Sequence, residues 1–495
     1  MTPDQERLCR RAVDGLKAVS LTGPLPLGAN DLSSALEHHG IKTASINVMQ
    51  QTATGFTGAG VTAVGALAKT YRPSLGPNSR RASNATLAKV IGEEMIRAWA
   101  GRTGAALTQS DFADMDRVVG DWFAALAQVR EHIVPCTLFP YPVPSFSVGP
   151  ITFRHFSEMP VEGFGVSHDE FWPKQPEGLR LWARDVWAAL RRRPVRKAEV
   201  GGFRFSSLTQ FATERAAPWL AFVRVPGRSA PESVGAADLA ADIALAAIQL
   251  VSPGDDMRRV ARASGRAGPI WRVDVSRAED GTFTAGSKNL SPALARSQDL
   301  IEQHMKGVAP VLDSMGQRLA GFLDALSAVP ILDEAWCNAA YWYHEALAET
   351  LDTVAVAKLE TAIEVLFRAE SMSGSKRRLT ESFEVFFGLK PGDKIGSGTV
   401  TVEQFVESIT TARSRVLHGT WPTLHLDLAA NKSGQTISYA DVEFLTRTLL
   451  VSMSVSLDDY VATSSPVDTT EALFAWILAQ RAQAAAPAAA AHTGP

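Results

Sequence analysis

From Pro292 to Val461 the chain reads as one helix-period segment after another, with no strand pattern between them. That succession restricts the C-terminal part to a helical assembly. The segments are Pro292–Ala328, open to a break near Gly307–Pro310, then Asp333–Leu351, Val354–Ser371 and Ser375–Leu389. After the loop "KPGDKIGSGTV" come Thr401–Gly419 and Ser438–Val461.

The N-terminal part has a different texture. Up to about residue 133 it reads as helical with loop interruptions. Asn84–Gly101 has Asn84 as a cap candidate and a terminal Gly, and Ser110–Ile133 is a second amphipathic helix. The glycines of Thr52–Lys69 lack the Gly-Lys-Ser/Thr ending of a phosphate loop, and no clear strand precedes them. The pattern predicts a flexible loop followed by a small-residue helix. At Val134 the chain turns rich in Pro and in β-branched and aromatic residues. From there strand-like pieces ("FRFSSLTQF", "WLAFVRVPG") mix with helices (Gly178–Arg193, Gly235–Val251), and a hairpin is expected around Asp280-Gly281. The expected class is α+β, mostly α. A helical region 1–133 and a mixed α/β region 134–290 precede a helical domain 291–463, with a partly disordered, Ala-rich tail 464–495.

With 495 residues, 46% hydrophobic and 20% charged, the chain has material for two or three packed domains. A net charge of −3 excludes a basic nucleic-acid binder as a whole, so any RNA contact needs a local patch. The candidates are Arg191–Lys197, Ser375–Leu379 and Ala412–Arg415, each of which reads more simply as a solvated charge run. Cys9, Cys136 and Cys337 lie far apart and form neither a disulfide framework nor a zinc spacing. The N-terminus lacks the apolar core of a signal peptide, and the apolar stretch Leu239–Val251 is too short for a bilayer. A soluble protein of the reducing cytosol, with no membrane contact, is expected. His155 and His168, between aromatics, read as packed or turn residues.

The segment with chemical content is "ARSRVLHGTWP", Ala412–Pro422. Phe405, Ile409, Ala412, Val416 and, less well, Leu417 share one face of the helix that contains it. Gly419 stands where a helix-ending glycine belongs, and Pro422 forbids continuation. His418 then falls in the last turn, where the helix dipole favours positive charge. Ser414 is one turn before it and Arg415 three residues before it, both on its side of the helix. Arg413 is roughly 140° away but long enough to reach a phosphate there. An imidazole, a hydroxyl and a guanidinium fork at one helix end can serve RNA cleavage by the 2′-hydroxyl, which needs an acid–base group and a cation on the phosphorane. That chemistry calls for no metal or cofactor. The plainer reading is a helix whose last turn carries cations for stability alone. One histidine serves poorly as both acid and base; a two-fold dimer would supply two.

The helices Ala357–Phe367 ("AKLETAIEVLF"), "SKRRLTESFEVFFGL" and "ITTARSRVLHG" resemble the ApeA-like branch of the HEPN superfamily, over about Ala335–Ala462. The signature is an Arg, four to six residues and a His, met here by Arg413 and His418. The resemblance implies an up-and-down helical bundle that dimerises to form a composite, metal-independent ribonuclease site. It implies an antiphage abortive-infection effector cutting RNA, in some relatives tRNA, with the N-terminal region as sensor or regulator and a phage-derived trigger as a partner. His418 would be the acid–base residue and Arg413 the phosphate ligand. Ser414 stands where many relatives have Asn, Asp or His, and Arg415 could replace Arg413. Glu364 matches an acidic residue of an earlier bundle helix that would orient Arg413 or His418, or sit at the bundle edge. Two alternatives stay open: a non-catalytic HEPN module that dimerises or binds a nucleotide or partner, and an unrelated enzyme in the N-terminal region.

Overall fold

The computed structural model describes residues 1–20, 36–47, 52–73, 81–99, 107–158, 217–252, 255–265, 271–289, 297–324, 327–396, 398–419, 438–463 and 465–491. The chain divides into two compact units, Met1–Arg130 with Val225–Gly235, and Glu131–Arg224 with Ala236–Pro495. The stretches 134–290 and 291–463, which differ in sequence texture, fall almost wholly in the second unit.

In the first unit, α1 (Pro3–Asp14) is opened by a capping box between Thr2 and Gln5. Strands β1 (Leu16–Ser20), β2 (Ile41–Asn47) and β3 (Thr52–Thr57) form an antiparallel sheet in the order β1-β3-β2. Helix α2 (Gly58–Tyr71) begins directly where β3 ends, with Thr57 as its cap. The glycine-rich stretch is therefore a strand and a helix, not a flexible loop before a helix. Its strand is hidden in sequence because Gly55 weakens the β signal, and pairing on both sides overrides that weakness. Close packing accounts for two glycines: a Cβ on Gly15 would lie 2.7 Å from Gly60 Cα.

Helices α3 (Asn84–Trp99) and α4 (Gln109–Ala125) complete the unit, with Leu67, Leu87, Ile91, Met95 and Phe112 in its core. Ser83 rather than Asn84 caps α3, its Oγ accepting from Thr86 N at 3.1 Å. Helix α4 ends at Ala125 rather than Ile133, because Arg130–Thr137 is drawn into a sheet as β4.

That sheet holds β4, β5 (Phe146–Val148), β6 (Ile151–His155), β7 (Trp219–Val225) and β8 (Ala261–Arg262) in the order β5-β6-β7-β4-β8. Helix α5 (Ala230–Val251) is longer than its most apolar stretch and is long and apolar enough to cross a membrane, but 67% of its apolar window is buried inside the protein. The two polar side chains of its apolar stretch Leu239–Val251 are satisfied there. Asp242 accepts from Arg262 Nε at 2.7 Å, and Gln249 Oε1 lies 2.7 Å from His344 Nδ1. The expected hairpin is present as β9 (Trp271–Arg277) and β10 (Phe283–Asn289), turning at Gly281 with φ +86°.

The remaining described elements are helices. Helix α6 (Gln298–Leu323) starts at its cap Ser297, passes through Pro310 without a break and ends before Ala328. Packing along its length outweighs the one hydrogen bond that proline removes. Gly316 of α6 touches the β5–β6 turn so closely that a Cβ there would lie 2.2 Å from Gly149 N. Helices α7 (Pro330–Leu347), α8 (Asp352–Leu366), α9 (Met372–Ser382, prolonged by a π-turn to Phe387), α10 (Val402–Leu417), α11 (Tyr439–Val461) and α12 (Thr470–Ala491) follow. Helix α8 is central, packing on α7, α9, α10 and α11.

The stretch 464–495, expected to be partly disordered, contains a long helix. Helix α12 reaches Ala491, and Leu473, Phe474 and Ile477 are buried. Those three supply the apolar stripe that the surrounding alanines obscure in sequence. A buried ion network locks α6 to α7 and α11: Arg318 donates to Asp333 at 2.9 Å and to Asp458 at 3.0 Å. Burial pushes the Asp333 carboxyl up to about 6, against the pull of Arg318.

Candidate active site at the end of helix α10

Helix α10 is set by its ends. Thr401 and Gln404 close a capping box at the start. At the finish His418 is the last cap residue, its N–H bonded to Ser414 O at 3.0 Å, and Gly419 takes the left-handed φ of +65°. Val402, Val406, Ile409 and Ala412 form the buried face. Val416 and Phe405 are half-buried, while Leu417, which the periodicity placed loosely on that face, is 68% exposed. The apolar face therefore expires before the helix end, and Leu417, His418 and Gly419 are exposed.

The predicted residues separate into two groups. His418 is exposed, and among the described residues its ring has no hydrogen-bond partner. Ser414 and Arg415 are half-buried on the same last turn. Arg413 turns the other way, towards α8, where its guanidinium forms an ion pair with Glu364. Glu364, expected to orient Arg413 or His418 or to sit at the bundle edge, contacts Arg413. Pro422 and the other residues from 420 to 437 lie outside the described residues.

A further acidic residue belongs to this cluster and is not evident from sequence. Glu360 stands one helical turn before Glu364, and its Oε2 is 4.0 Å from Arg413 Nε. Its side chain is 2% exposed, and Oε2 has no hydrogen-bond partner. Burial first, then the neighbouring Glu364, raise the Glu360 carboxyl to about 8, although Arg413 pulls it down. A signal was available: Glu360 interrupts the apolar face made by Val356, Leu359, Ile363 and Leu366.

The other candidates that the structure describes make local contacts. In the Ser375–Leu379 patch, Arg378 pairs with Glu381 at 2.9 Å and with Glu471, and Arg377 lies 3.9 Å from Glu381. Arg191–Lys197 and His168 lie outside the described residues. His155 sits edge-on to Trp219 with Nδ1 at 2.8 Å from Ser157 Oγ, and burial lowers its pKa. All three cysteines are free and buried. No His, Cys, Asp and Glu cluster of metal-binding geometry occurs among the described residues.

The cluster can do two things chemically. A guanidinium with 30% of its side chain exposed can offer donors to an anion while a carboxylate fixes its plane. An imidazole in solvent at a helix C-terminus can exchange protons with a bound group. No family model, no curated protein and no solved structure matches this chain.

Proposed function

We propose that this protein is an endoribonuclease of the HEPN type that cuts RNA without a metal, as a cytoplasmic effector of antiphage defence. The observation that carries the reading is Arg413, braced by Glu364 and still partly exposed, on the same helix end as the solvent-facing His418. In the reaction a base removes the 2′-hydroxyl proton, and the 2′-oxygen attacks the adjacent phosphorus. The bond from phosphorus to the 5′-oxygen then breaks, and an acid protonates that oxygen. A 2′,3′-cyclic phosphate and a 5′-hydroxyl end result. Arg413 steadies the charge on the phosphorane and His418 moves the protons. Because one imidazole cannot supply both proton transfers at once, two copies of the α10 end would face each other across a two-fold axis. The preceding regions would then act as the sensor of a phage-derived trigger, and tRNA is one candidate substrate.

A second reading has its own support. Arg413 is already neutralised by a carboxylate, as it would be in a module that uses this helix only to dimerise or bind a partner. The test is growth of cells expressing wild type and His418→Ala, before and after phage challenge, with total and transfer RNA resolved on a denaturing gel. Toxicity with discrete fragments ending in cyclic phosphate, lost in the variant, supports the nuclease. Intact RNA in both after challenge supports the binding module.

A further inference from the structure

Two carboxylates, not one, are aimed at Arg413. Glu364 makes the direct ion pair, while Glu360 lies deeper, with its Oε2 4.0 Å from Arg413 Nε and without a hydrogen-bond partner. A buried carboxylate oxygen without a donor disfavours the ionised form, and the usual remedy is to keep the proton. Several charged groups of α8 and the neighbouring helices pair with one another rather than with Glu360. Lys358 of α8 turns to Glu345 of α7 at 3.4 Å and to Glu349. On α11, Glu443 bonds Arg447 at 3.1 Å and accepts from Tyr343 of α7 at 2.6 Å. On α9, Arg377 and Arg378 face Glu381, and Arg378 also faces Glu471. Arg413 and Glu364 are the charges that act on Glu360.

We infer that Glu360 is a positioning residue for Arg413: while it carries its proton, Arg413 is held by Glu364 alone and keeps donors for a phosphate, and when it ionises it draws the guanidinium into the bundle. The inference rests on the ribonuclease reading of this site. Ionised, the cluster of Glu360, Glu364 and Arg413 carries a net negative charge, which repels a phosphodiester; with Glu360 neutral, the cluster carries none. Glu360 touches no substrate in this scheme. It acts through Arg413, and the carboxyl of about 8 places the change at mildly alkaline pH.

The test is the binding of a 2′-O-methyl oligoadenylate, which cannot be cleaved and whose bases do not titrate near neutrality, by fluorescence anisotropy across about pH 6 to 9. Wild type is expected to lose affinity on the order of ten-fold over the alkaline part of that range. Glu360→Gln, isosteric and permanently neutral, is expected to bind evenly throughout. Glu364→Gln offers a second arm that leaves the buried position untouched. It removes the negative neighbour that helps Glu360 keep its proton, so its alkaline loss moves to lower pH. Equal alkaline losses in wild type and Glu360→Gln, or none in either, overturn the inference and leave the ribonuclease reading standing. A wild type that binds no oligonucleotide at any pH overturns that reading and the inference with it.

Discussion

Glu364 on α8 holds the guanidinium of Arg413 on α10, so a residue expected at a phosphate is also a tie between two helices of the bundle. The tie makes Arg413 more than a substrate contact. Arg413→Ala removes the Glu364 ion pair and leaves Glu360 without the one charge that favours its ionised form. A loss of about 1 kcal/mol is expected, since the pair is only partly buried. A double-mutant cycle of Arg413→Ala and Glu364→Gln in urea unfolding measures the coupling. A coupling indistinguishable from zero would show that the pair does not hold the helices.

Stability should fall as pH rises from about 4 to 8. Asp333 moves from its ordinary 3.8 up to about 6, and Glu360 from 4.5 up to about 8. Both folded-state values lie above the unfolded ones, so the native state binds more protons over those windows. Each group's contribution is complete below its unfolded pKa and is lost as pH climbs through its folded pKa, at up to about 1.4 kcal/mol per pH unit. The two windows separate by substitution. Glu360→Gln should flatten the upper part of the profile between about pH 6 and 8 and leave the part due to Asp333 below it. Denaturant midpoints of both proteins at several pH values decide it; parallel profiles would refute the assignment to Glu360.

Gly321 of α6 should tolerate no side chain. A Cβ there would lie 1.9 Å from Asp333 Oδ2, inside the network in which Arg318 bridges Asp333 and Asp458. Gly321→Ala must displace a buried carboxylate that also accepts from Ser327. The expected cost is roughly 2–4 kcal/mol, the range for breaking a buried polar network. Gly307, on the same helix, is the control, because a Cβ there meets nothing within 4 Å. Gly307→Ala should stabilise by about 0.5–1 kcal/mol through helix propensity. Thermal unfolding of the two variants should therefore move in opposite directions.

The parts of this protein that could be read from sequence are those in which local signals agree. Helix α10 has a capping box, an apolar period and a terminal glycine, and all three mark the observed ends. The β9–β10 hairpin is announced by Asp280-Gly281 in the same way. Strand β4 was hidden because Arg130, Glu131 and His132 extend the polar pattern of α4, and only pairing with neighbouring strands decides against helix. At the candidate site, the turn bearing His418 was legible because it is local. The Glu360–Arg413 contact was not, because residues 53 positions apart meet only when α8 packs on α10. Helical period says that Glu360 lies near an apolar face; it does not say which cation will come to it.

Helix α12 should be needed for the stability of the bundle. Phe474 is 5% exposed and stands edge-on to Phe367 at 5.4 Å and to Phe386 at 5.9 Å. Leu473 is fully buried beside it, and Arg481 donates to the carbonyls of Glu384 at 3.2 Å and Val385 at 2.7 Å in the π-turn. Phe474→Ala is expected to cost about 3–5 kcal/mol by cavity formation in an aromatic cluster. Arg481→Ala should cost less, about 1 kcal/mol, because water can reach the freed carbonyls. Phe367 and Phe386 also flank α8 and α9, so loss of Phe474 should loosen the helix that carries Glu360 and Glu364. Hydrogen exchange of α8 in Phe474→Ala reads this directly. Faster exchange along Asp352–Leu366 is the expected result, and exchange unchanged from wild type would mean that α12 packs without supporting the site.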